Sequence, residues 1–416
     1  MTTALGIIAD DYTGALMVAS YLEGIGIYAP LAFSPRAVAS ISGATVVGTR
    51  IRTVDRNVAV LRVGEFADAL EESGCRSLVY KPSACFDSMA SGNVGAIADF
   101  LAERRNVRPV LMAAGFPRYE ITTHQGYLFY RGRLVSESVK RFDPLTPMAD
   151  PDLVRFLSLQ TPHAIGLVNH LRVREGSGEL ANIVDTLSAD GYGHVLFDVS
   201  DDADLETVAG YAASTEYVLV ASDPVAVAYT RLVVGITAMP PKTKHAKGPS
   251  AVLVGTVGPT IERQLARFSA IAPVLAIDVT DPRHDDAVVE EMYDRVSGYI
   301  GREFFAVSTG ADVRSVNEAQ AKLGVTGAAR RAEDMLAALA KRLHERGVRR
   351  LVVAGGETSG AVVDALNVTR ARALPENPFG PGFCVSETDD PISFFLKPGK
   401  HGSDTVLLDA LSAMDA

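Results

Sequence analysis

The sequence predicts an α/β protein with two domains, each with a largely parallel β-sheet flanked by helices. Three observations support this fold class. The chain has 416 residues, more than one hydrophobic core usually serves. Short apolar runs alternate with longer helical patterns, an order typical of parallel strands joined by helices. The alternation stops once, near residue 240, and then starts again, so we expect one domain on each side of this break.

The strands of the first domain are predicted from short runs rich in Val, Ile and Leu that are bounded by Gly, Pro or polar residues. One such run precedes Asp10. The other predicted strands lie within 44–49, 76–82, 108–115, 163–169 and 193–200, and predicted helices lie within 56–74 and 91–106.

The break at 238–250 is rich in proline and cationic residues and has no apolar period, as in a linker. We therefore predict an N-terminal domain at 1–240, a linker at 241–249 and a C-terminal domain at 250–416. In the C-terminal domain a strand, a turn and a helix follow one another at 250–268 and again at 349–366.

Charge and cysteine content argue against several classes of function. The 40 Lys and Arg residues and 50 Asp and Glu residues give a formal charge of −10, which disfavours nucleic acid or an anionic membrane as a partner. Cys75, Cys85 and Cys384 are widely spaced and odd in number, as in a reduced cytosolic protein. The sequence contains neither the pattern of a secretory leader nor an apolar run of membrane-spanning length, so we expect a cytoplasmic protein.

Two adjacent aspartates, Asp10 and Asp11, follow the first predicted strand in the sequence GIIADDYTGA. Ligands of open parallel sheets bind beyond the carboxyl ends of the strands. Either Asp11 or Thr13 is expected to cap the following helix, because a side-chain oxygen there satisfies free backbone N–H groups. A second carboxylate is not needed for capping, and it suits a general base or a metal ligand.

Cationic residues lie at the end of one other predicted strand and just after another. Lys81 precedes a polar turn with Asp87 and Ser88 that leads into a helix, and a cation beside a helix N-terminus makes a small anion site. A capped loop without a ligand is the alternative. Arg52 follows the strand at 44–49, and an arginine can hold a carboxylate through two hydrogen bonds. For Arg50, a solvated surface position is favoured.

The C-terminal domain contains several glycine-rich turns, within 253–260, 352–361, 380–383 and 395–404. Glycine lets the backbone approach a phosphate group, and a following helix supplies N–H donors. Together these turns predict a site for a phosphate-rich ligand. The motifs GxxxxGK[ST] and, after the first strand, GxGxxG are absent from the sequence, which disfavours a P-loop NTPase and a nicotinamide-dependent oxidoreductase.

The segments GIIADDYTGA, KPSACFDSMASGNVGA, GGETSGAVVDAL and LKPGKHGSD, in this order and spacing, resemble those of the four-carbon acid sugar kinase family. The resemblance extends over essentially the whole chain. It implies an N-terminal domain that binds an acid sugar, a C-terminal domain that binds ATP with Mg²⁺, and an active site in the interdomain cleft. It further implies phosphorylation of the terminal hydroxyl of a tetronate or 3-oxo-tetronate, and the segment 126–148 is most similar to the 3-oxo-tetronate kinase branch.

The resemblance also implies which residues form the site. The residues expected to border the acid sugar are Asp10, Asp11, Arg52, Lys81, Asp87 and Ser88. Those expected to border the nucleotide are Gly255, Thr256, Gly356, Glu357, Thr358, Ser359, Gly382, Lys397 and Gly399. We expect Mg²⁺ to arrive with ATP and not to be held by a side-chain cluster. In the expected mechanism Arg52 and Lys81 hold the substrate carboxylate, and one aspartate, with Asp10 preferred, accepts the hydroxyl proton.

The chain departs from the family pattern at several positions. In the N-terminal half, Glu120 and Ile121 replace a Gly-Arg pair, and ASDPVA at 221–226 replaces a G-S-x-G-L turn. In the C-terminal half, VGT at 254–256 replaces an S-G-S turn. The K-S-G-N-F-G tail reads KPGKHG at 397–402, which introduces Pro398, Lys400 and His401. These changes leave two alternatives open. One is a kinase of a related branched oxo-acid such as 3-oxo-isoapionate, and the other is a non-catalytic acid-sugar or nucleotide sensor. The oligomeric state also stays open, a homodimer included.

Overall fold

The computed structural model describes residues 4–39, 43–143, 145–239, 242–310, 313–399 and 401–415. Lys400 and residue 241 of the predicted linker therefore lie outside the described residues. The chain divides into two compact units. Unit 1 contains Met1–Val18 and Ile25–Met239, and unit 2 contains Ala19–Gly24 and Pro240–Ala416.

Unit 1 contains a large sheet and a small one. Its strands are β1 (Leu5–Ala9), β2 (Leu31–Ala32), β3 (Ala44–Gly48), β4 (Ser77–Lys81), β5 (Val110–Ala113), β6 (Ile121–His124), β7 (Tyr127–Tyr130), β8 (Arg133–Leu134), β9 (Ile165–Val168), β10 (His194–Phe197) and β11 (Leu219–Ala221). The helices that begin in unit 1 are α1 (Tyr12–Gly24), α2 (Arg56–Glu72), α3 (Asn93–Arg105), α4 (Leu153–Ser158), α5 (His170–Val173), α6 (Ser177–Ala189), α7 (Asp202–Ala213) and α8 (Asp223–Val234).

The strands of the large sheet follow the order β2-β3-β1-β4-β11-β5-β10-β9, and all neighbours are parallel. Strands β6, β7 and β8 form a separate antiparallel sheet. The strands and helices predicted for this unit are confirmed. Because the strands are parallel, the residues that follow β1, β3, β4 and β11 meet at one edge of the sheet. This edge carries the polar side chains described below.

Unit 2 repeats the alternation of strands and helices. Its strands are β12 (Ser250–Val254), β13 (Val274–Ala276), β14 (Ala306–Ser308), β15 (Arg350–Ala354), β16 (Arg370–Ala373), β17 (Phe383–Ser386) and β18 (Ser393–Lys397). Its helices are α9 (Pro259–Ser269), α10 (Asp285–Ser297), α11 (Val313–Leu323), α12 (Val325–Glu345), α13 (Gly356–Ala365) and α14 (Val406–Asp415).

The strand order in unit 2 is β13-β14-β12-β15-β18-β17-β16, and among these described strands β17 alone runs antiparallel to its neighbours. Val252 and Val352 point to one face, where they pack with Ile261 and Phe268 of α9 and with residues of α14. Leu253 and its neighbours on the opposite face are also fully buried. Burial of both faces explains why these strands read as continuous apolar runs.

The chain is therefore an α/β protein whose two units each contain a mostly parallel sheet flanked by helices. In the part of the chain that the structure describes, no helix is both long and apolar enough to span a membrane.

Candidate active site

The polar edge of unit 1 is organised first by its backbone. The N–H of Asp10 donates to the carbonyl of Lys81 at 3.1 Å, and the N–H of Ile51 donates to the carbonyl of Asp10 at 2.9 Å. The side-chain amide of Asn93 donates to the carbonyls of Ile51 and Val54. These bonds join the segment after β1 to the end of β4 and to the loop after β3. The two backbone bonds hold Asp10 next to the Arg52 loop, and the Asn93 side chain ties that loop to the start of α3.

Asp11 caps helix α1, as the sequence predicted. Its Oδ1 accepts hydrogen bonds from the N–H of Gly14 and, at 3.1 Å, from the hydroxyl of Thr13. Burial raises the pKa of Asp11, but the charges of Arg52 and Lys81 and these hydrogen bonds outweigh burial, so the pKa lies below its usual value. Asp11 is therefore an ionised carboxylate with a structural task.

Arg52 joins the two aspartates. Its Nε lies 2.7 Å from Asp10 Oδ2 and its Nη2 lies 3.0 Å from Asp10 Oδ1, while Nη2 also lies 2.6 Å from Asp11 Oδ2. Burial lowers the pKa of Arg52, but the two carboxylates raise it well above its ordinary value. In the described part of the chain, Nη1 has no hydrogen-bond partner. The Arg52 side chain is 20% exposed, so this buried-edge cation is partly accessible to solvent.

Lys81 is paired inside the protein. Its side chain is 2% exposed, and its Nζ lies 2.8 Å from Oδ1 of Asp223, the first residue of α8. Burial lowers the pKa of Lys81, but Asp223 and the two aspartates raise it above its ordinary value. Burial raises the pKa of Asp223 and the charge of Lys81 lowers it, and burial has the larger effect, so the pKa lies above its usual value. A Cβ atom at Gly14 would collide with Lys81 Nζ. The glycine therefore makes room for the side chain of Lys81 beside the start of α1.

Asp87 is held by a second lysine. Lys140 Nζ lies 2.9 Å from Asp87 Oδ2, the hydroxyl of Ser83 donates to Oδ1, and the hydroxyl of Thr146 lies 3.4 Å from Oδ2. Burial raises the pKa of Asp87, but Lys140 and Arg52 outweigh it and hold the pKa far below its ordinary value. Asp87 is thus a buried anion whose charge is balanced by Lys140.

The expected anion site at the N-terminus of α3 is not formed, and that prediction is wrong. Oε1 of Gln160 accepts hydrogen bonds from the N–H groups of Val94 and Gly95 at 3.0 and 3.2 Å. Its Nε2 donates to the hydroxyl of Ser88 at 2.8 Å, and Ser88 is buried. A side-chain amide from a distant segment therefore occupies the donors that an anion would need, and Lys81 pairs with Asp223.

Sequence reasoning missed the partners Lys140, Asp223, Thr146 and Gln160. Only Asp223 had a local signal, because it follows an apolar run and precedes a proline at the start of a helix, a pattern typical of strand ends that carry polar residues. Lys140 and Thr146 lie in the segment 126–148, whose similarity to the 3-oxo-tetronate kinase branch did not single them out, and Gln160 lies in a segment without a recognisable motif. Of the altered positions, Glu120 is exposed with a φ of 56°, a conformation that favours glycine, and Ile121 is buried at the start of β6.

In unit 2 the glycine-rich turns after β12, β15 and β18 lie side by side, because these strands are neighbours and parallel. The N–H of Gly255 donates to the carbonyl of Ala354 at 3.1 Å, and the N–H of Gly355 donates to the carbonyl of Lys397 at 2.9 Å. These three turns therefore lie together at one edge of the sheet, and the phosphate-rich ligand that the sequence predicts for them stays a prediction.

The glycines of these turns leave no room for side chains. A Cβ atom at Gly255 would collide with the side chain of Thr358, and one at Gly399 would collide with Thr256. Gly355 has a φ of 124°, and a Cβ there would lie 2.9 Å from Thr358 Oγ1. Thr256 and Thr358 therefore pack directly against the glycine backbone of the turns after β12, β15 and β18.

The start of α13 fits a phosphate-bearing ligand. Helices α9 and α13 begin after Gly258 and Gly355, which have no side chain to cap the first turn. Free N–H groups at a helix N-terminus attract phosphate. The hydroxyl of Ser359 is fully buried and has no partner among the described residues. The first turn of α13 consists of Gly356, Glu357, Thr358 and Ser359.

Lys397 closes the turn after β18. Its Nζ lies 2.9 Å from the carbonyl oxygens of Pro398 and His401 and 3.3 Å from that of Gly399. Burial lowers the pKa of Lys397 to about 7. Gly382 has a φ of 140° at the start of β17, where a Cβ would lie 2.9 Å from the carbonyl oxygen of Leu396. The predicted nucleotide residues Lys397 and Gly382 thus shape the backbone around the turns.

The cysteine thiols and the possible metal ligands of the chain complete the description of its reactive groups. Cys75, Cys85 and Cys384 are buried free thiols, and burial raises the pKa of Cys75 and Cys384. Across the described ranges, no group of three or more His, Cys, Asp or Glu residues is arranged to hold a metal ion.

Comparisons with known proteins identify two domain models and several full-length relatives that this chain resembles. A model described as a sugar-binding N-terminal domain matches residues 5–229, and one described as a nucleotide-binding C-terminal domain matches residues 251–407. The chain is 33% identical to a 3-oxo-tetronate kinase from Methylobacterium radiotolerans over 100% of both proteins, and 31% identical to one from Burkholderia multivorans over 99% of this chain and 97% of that protein. A crystal structure of a Salmonella typhimurium LT2 protein superposes with a TM-score of 0.81 at 26% identity, covering 98% of each chain.

Proposed function

Because the chain belongs to the four-carbon acid sugar kinase family, we propose that it transfers the γ-phosphoryl group of ATP to the terminal hydroxyl of a tetronate or 3-oxo-tetronate. The observation that carries this proposal is the Asp10–Arg52 pair at the sheet edge of unit 1, within the region matched by the sugar-binding model. In such a pair the aspartate can accept a hydroxyl proton while the partly exposed arginine binds a substrate carboxylate.

Asp10 is our candidate for the general base. Its Oδ2 accepts hydrogen bonds from Arg52 Nε and from the N–H of Ser83, whereas its Oδ1 accepts one from Arg52 Nη2. Because each carboxylate oxygen offers about two acceptor positions, Oδ1 has one left for the substrate hydroxyl. Asp11 is engaged as the cap of α1, which makes it the weaker candidate.

Among the proposed substrate-binding residues, Arg52 is best placed to contact the substrate carboxylate through Nη1. We expect Lys81 to act through its charge on Asp10 and Asp11, because it is buried and already paired with Asp223. We also expect Asp87 and Ser88 to act indirectly, because both are buried and already paired: Asp87 with Lys140 and Ser88 with Gln160.

We place the nucleotide phosphates at the turns of unit 2, where Gly255, Thr256, Gly399 and the first turn of α13 (Gly356, Glu357, Thr358 and Ser359) meet. Uncapped helix N-termini and glycine backbone suit the phosphate chain. Mg²⁺ bound with ATP would neutralise charge on the phosphate oxygens. The interdomain position of the active site, the cytoplasmic location and a homodimer stay predictions.

The direct test is ADP release with Mg-ATP against a panel of tetronates, 3-oxo-tetronates and branched oxo-acids. We expect one strong substrate among the tetronates or their 3-oxo forms. A strong response to a branched oxo-acid alone would move the specificity to that class. ATP binding by calorimetry without turnover on any acid would favour the sensor, and absence of both ATP binding and turnover would contradict the proposal.

ATP binding at pH about 8 is expected to be accompanied by proton uptake through Lys397. Burial lowers the pKa of this amine to about 7, so most of it is neutral at that pH. Nearby phosphate charge favours the ammonium form and raises the pKa, so the amine gains up to about one proton. Calorimetry in buffers of different ionisation enthalpy measures this uptake.

Lys397→Met is the matched control, because it keeps the length of the side chain without a titratable amine. Its binding enthalpy should not depend on the buffer. A wild-type enthalpy that is equally independent of the buffer would exclude Lys397 as the proton acceptor.

A further inference from the structure

Two histidines outside the proposed kinase site lie side by side in unit 1. His124 ends β6, and His170 follows β9 at the start of α5. Their ring centroids are 5.2 Å apart and their planes meet at 47°. Strand β10, next to β9, lies four positions from β1 in the sheet, which corresponds to roughly 19 Å at the usual spacing of strands. The histidine pair therefore lies outside the site formed by Asp10, Asp11 and Arg52.

The position of the hydrogen on His170 follows from its partner. His170 Nδ1 lies 2.6 Å from Oδ2 of Asp204, which is 1% exposed and also accepts a hydrogen bond from the N–H of Ser200 at 2.9 Å. An ionised carboxylate only accepts hydrogen bonds, so Nδ1 must carry the hydrogen. In the neutral ring, Nε2 then has an unprotonated lone pair.

The same reasoning applies to His124. Its Nδ1 lies 3.2 Å from the hydroxyl oxygen of Ser200, and that hydroxyl lies 2.8 Å from the carbonyl of Thr123. A serine hydroxyl has a single hydrogen, and a carbonyl can only accept, so Ser200 donates to Thr123. Ser200 must then accept from His124 Nδ1, which leaves a lone pair on His124 Nε2 as well.

Both histidines are held through Nδ1 by the same segment of the chain. The two Nδ1 atoms are bonded to Ser200 and Asp204, which belong to the loop and helix that follow β10 and are themselves joined by a hydrogen bond. Within one imidazole ring the N–H of Nδ1 and the lone pair of Nε2 point in widely different directions, so neither lone pair is directed at the Ser200 and Asp204 atoms that hold Nδ1. Neither Nε2 atom has a hydrogen-bond partner in the part of the chain that is described.

We propose that His124 and His170 bind one late first-row divalent ion, such as Zn²⁺, Co²⁺ or Ni²⁺, through their two Nε2 atoms, with water completing the coordination. Imidazole is a preferred ligand of these ions. Metal-bound histidines typically donate the other ring N–H to a carboxylate or another oxygen acceptor, as Asp204 and Ser200 accept here.

Two neighbouring carboxylates support this assignment. Asp204 Oδ1 is buried without a hydrogen-bond partner among the described residues, and a metal-bound ring would place additional positive charge beside it. Asp198 accepts hydrogen bonds from the backbone N–H groups of Gly126 and His170 at 3.0 and 2.9 Å. It thereby holds the backbone of both histidine-bearing segments in place before an ion arrives.

The other close histidine pair lacks these features. The ring centroids of His163 and His194 are 5.8 Å apart, but His194 is fully buried and its Nε2 lies 2.9 Å from Asp99 and 3.1 Å from Thr161. Its Nε2 is therefore engaged by protein groups. Proximity of two rings alone does not make a site, and the free Nε2 atoms distinguish the His124–His170 pair.

The test is a calorimetric titration of the chelator-treated full-length protein with Zn²⁺ in the absence of nucleotide. We expect one ion per chain. His124→Asn and His170→Asn retain a side-chain N–H donor near the position of Nδ1 but remove Nε2, so each is expected to weaken binding by at least about tenfold. The matched control is His284→Asn, at a histidine whose side chain is 83% exposed, and it should bind as the wild type does.

A second readout separates ligation from a change in folding. In the nitrogen NMR spectrum of the histidines, Zn²⁺ should shift Nε2 of His124 and His170, while circular dichroism shows the metal-free variants folded. Asp204→Asn is expected to weaken binding about 10–100-fold as a positioning residue. Absence of Zn²⁺ binding by the wild type, or equal binding by the wild type and both His→Asn variants, would overturn the proposal.

Discussion

Asp10→Asn is expected to lower turnover by at least about 100-fold while the protein stays folded and binds ATP. General base catalysis contributes about 10²–10⁴-fold, and an amide cannot accept the hydroxyl proton. Asparagine has nearly the same shape, and Arg52 keeps its ion pair with Asp11, so no buried charge is left alone. The measurements are ADP release with the best substrate of the panel, ATP binding by calorimetry and the melting temperature.

Asp11→Asn is the matched control for this experiment. Asparagine is as good an N-cap as aspartate, so helix α1 should keep its cap and the protein its fold. We expect a much smaller loss of turnover than for Asp10→Asn. If Asp10→Asn keeps turnover within a few-fold of the wild type, or if Asp11→Asn is the more damaging change, Asp10 is not the base.

Asp223→Ala is expected to lower the free energy of unfolding by about 3–5 kcal/mol. Removing one partner of a buried ion pair leaves the other charge uncompensated in a medium of low polarity. Lys81 is 2% exposed, and its remaining anionic neighbours Asp10 and Asp11 already share Arg52. Urea unfolding followed by tyrosine fluorescence measures the change, since the chain contains no tryptophan.

Glu206→Ala provides the comparison, because it breaks an ion pair of similar length that also involves α8. Arg231 and Glu206 lie 2.6 Å apart with both side chains 50% exposed, and exposed pairs contribute only about 0–1 kcal/mol. The double variant Lys81→Met with Asp223→Leu should recover much of the stability lost in Asp223→Ala, because it leaves neither charge of the pair. Equal losses for Asp223→Ala and Glu206→Ala would show that burial of this pair has no energetic consequence.

The buried network also explains why one prediction from the sequence was wrong. Lys81 and the start of α3 have the composition of an anion site, and composition alone cannot show that Gln160 already satisfies the N–H groups of Val94 and Gly95. Gln160 follows α4, in a segment whose sequence has no polar motif. Its contact with α3 depends on how helices pack, which local patterns do not encode.

By contrast, the placement of Asp10, Arg52 and Lys81 at one edge could be predicted. Each lies at the end of a strand or just after it, and strands in an alternating α/β chain are parallel, so their carboxyl ends coincide. The cap formed by Asp11 is equally local, because it joins a carboxylate to an N–H group three residues later. The same holds for the glycine turns of unit 2, which follow parallel strands.

The sequence by itself determined the strands, the helices and the residue types at the strand ends, since these depend on local periodicity and on neighbouring residues. The tertiary structure alone decided which charges neutralise each other: Lys81 with Asp223, Asp87 with Lys140, and Arg52 with both aspartates. It also decided that His124 and His170 become neighbours. The physical reason is that ion pairs and side-chain contacts act over a few ångströms between distant segments, whose proximity is set by strand order and helix packing.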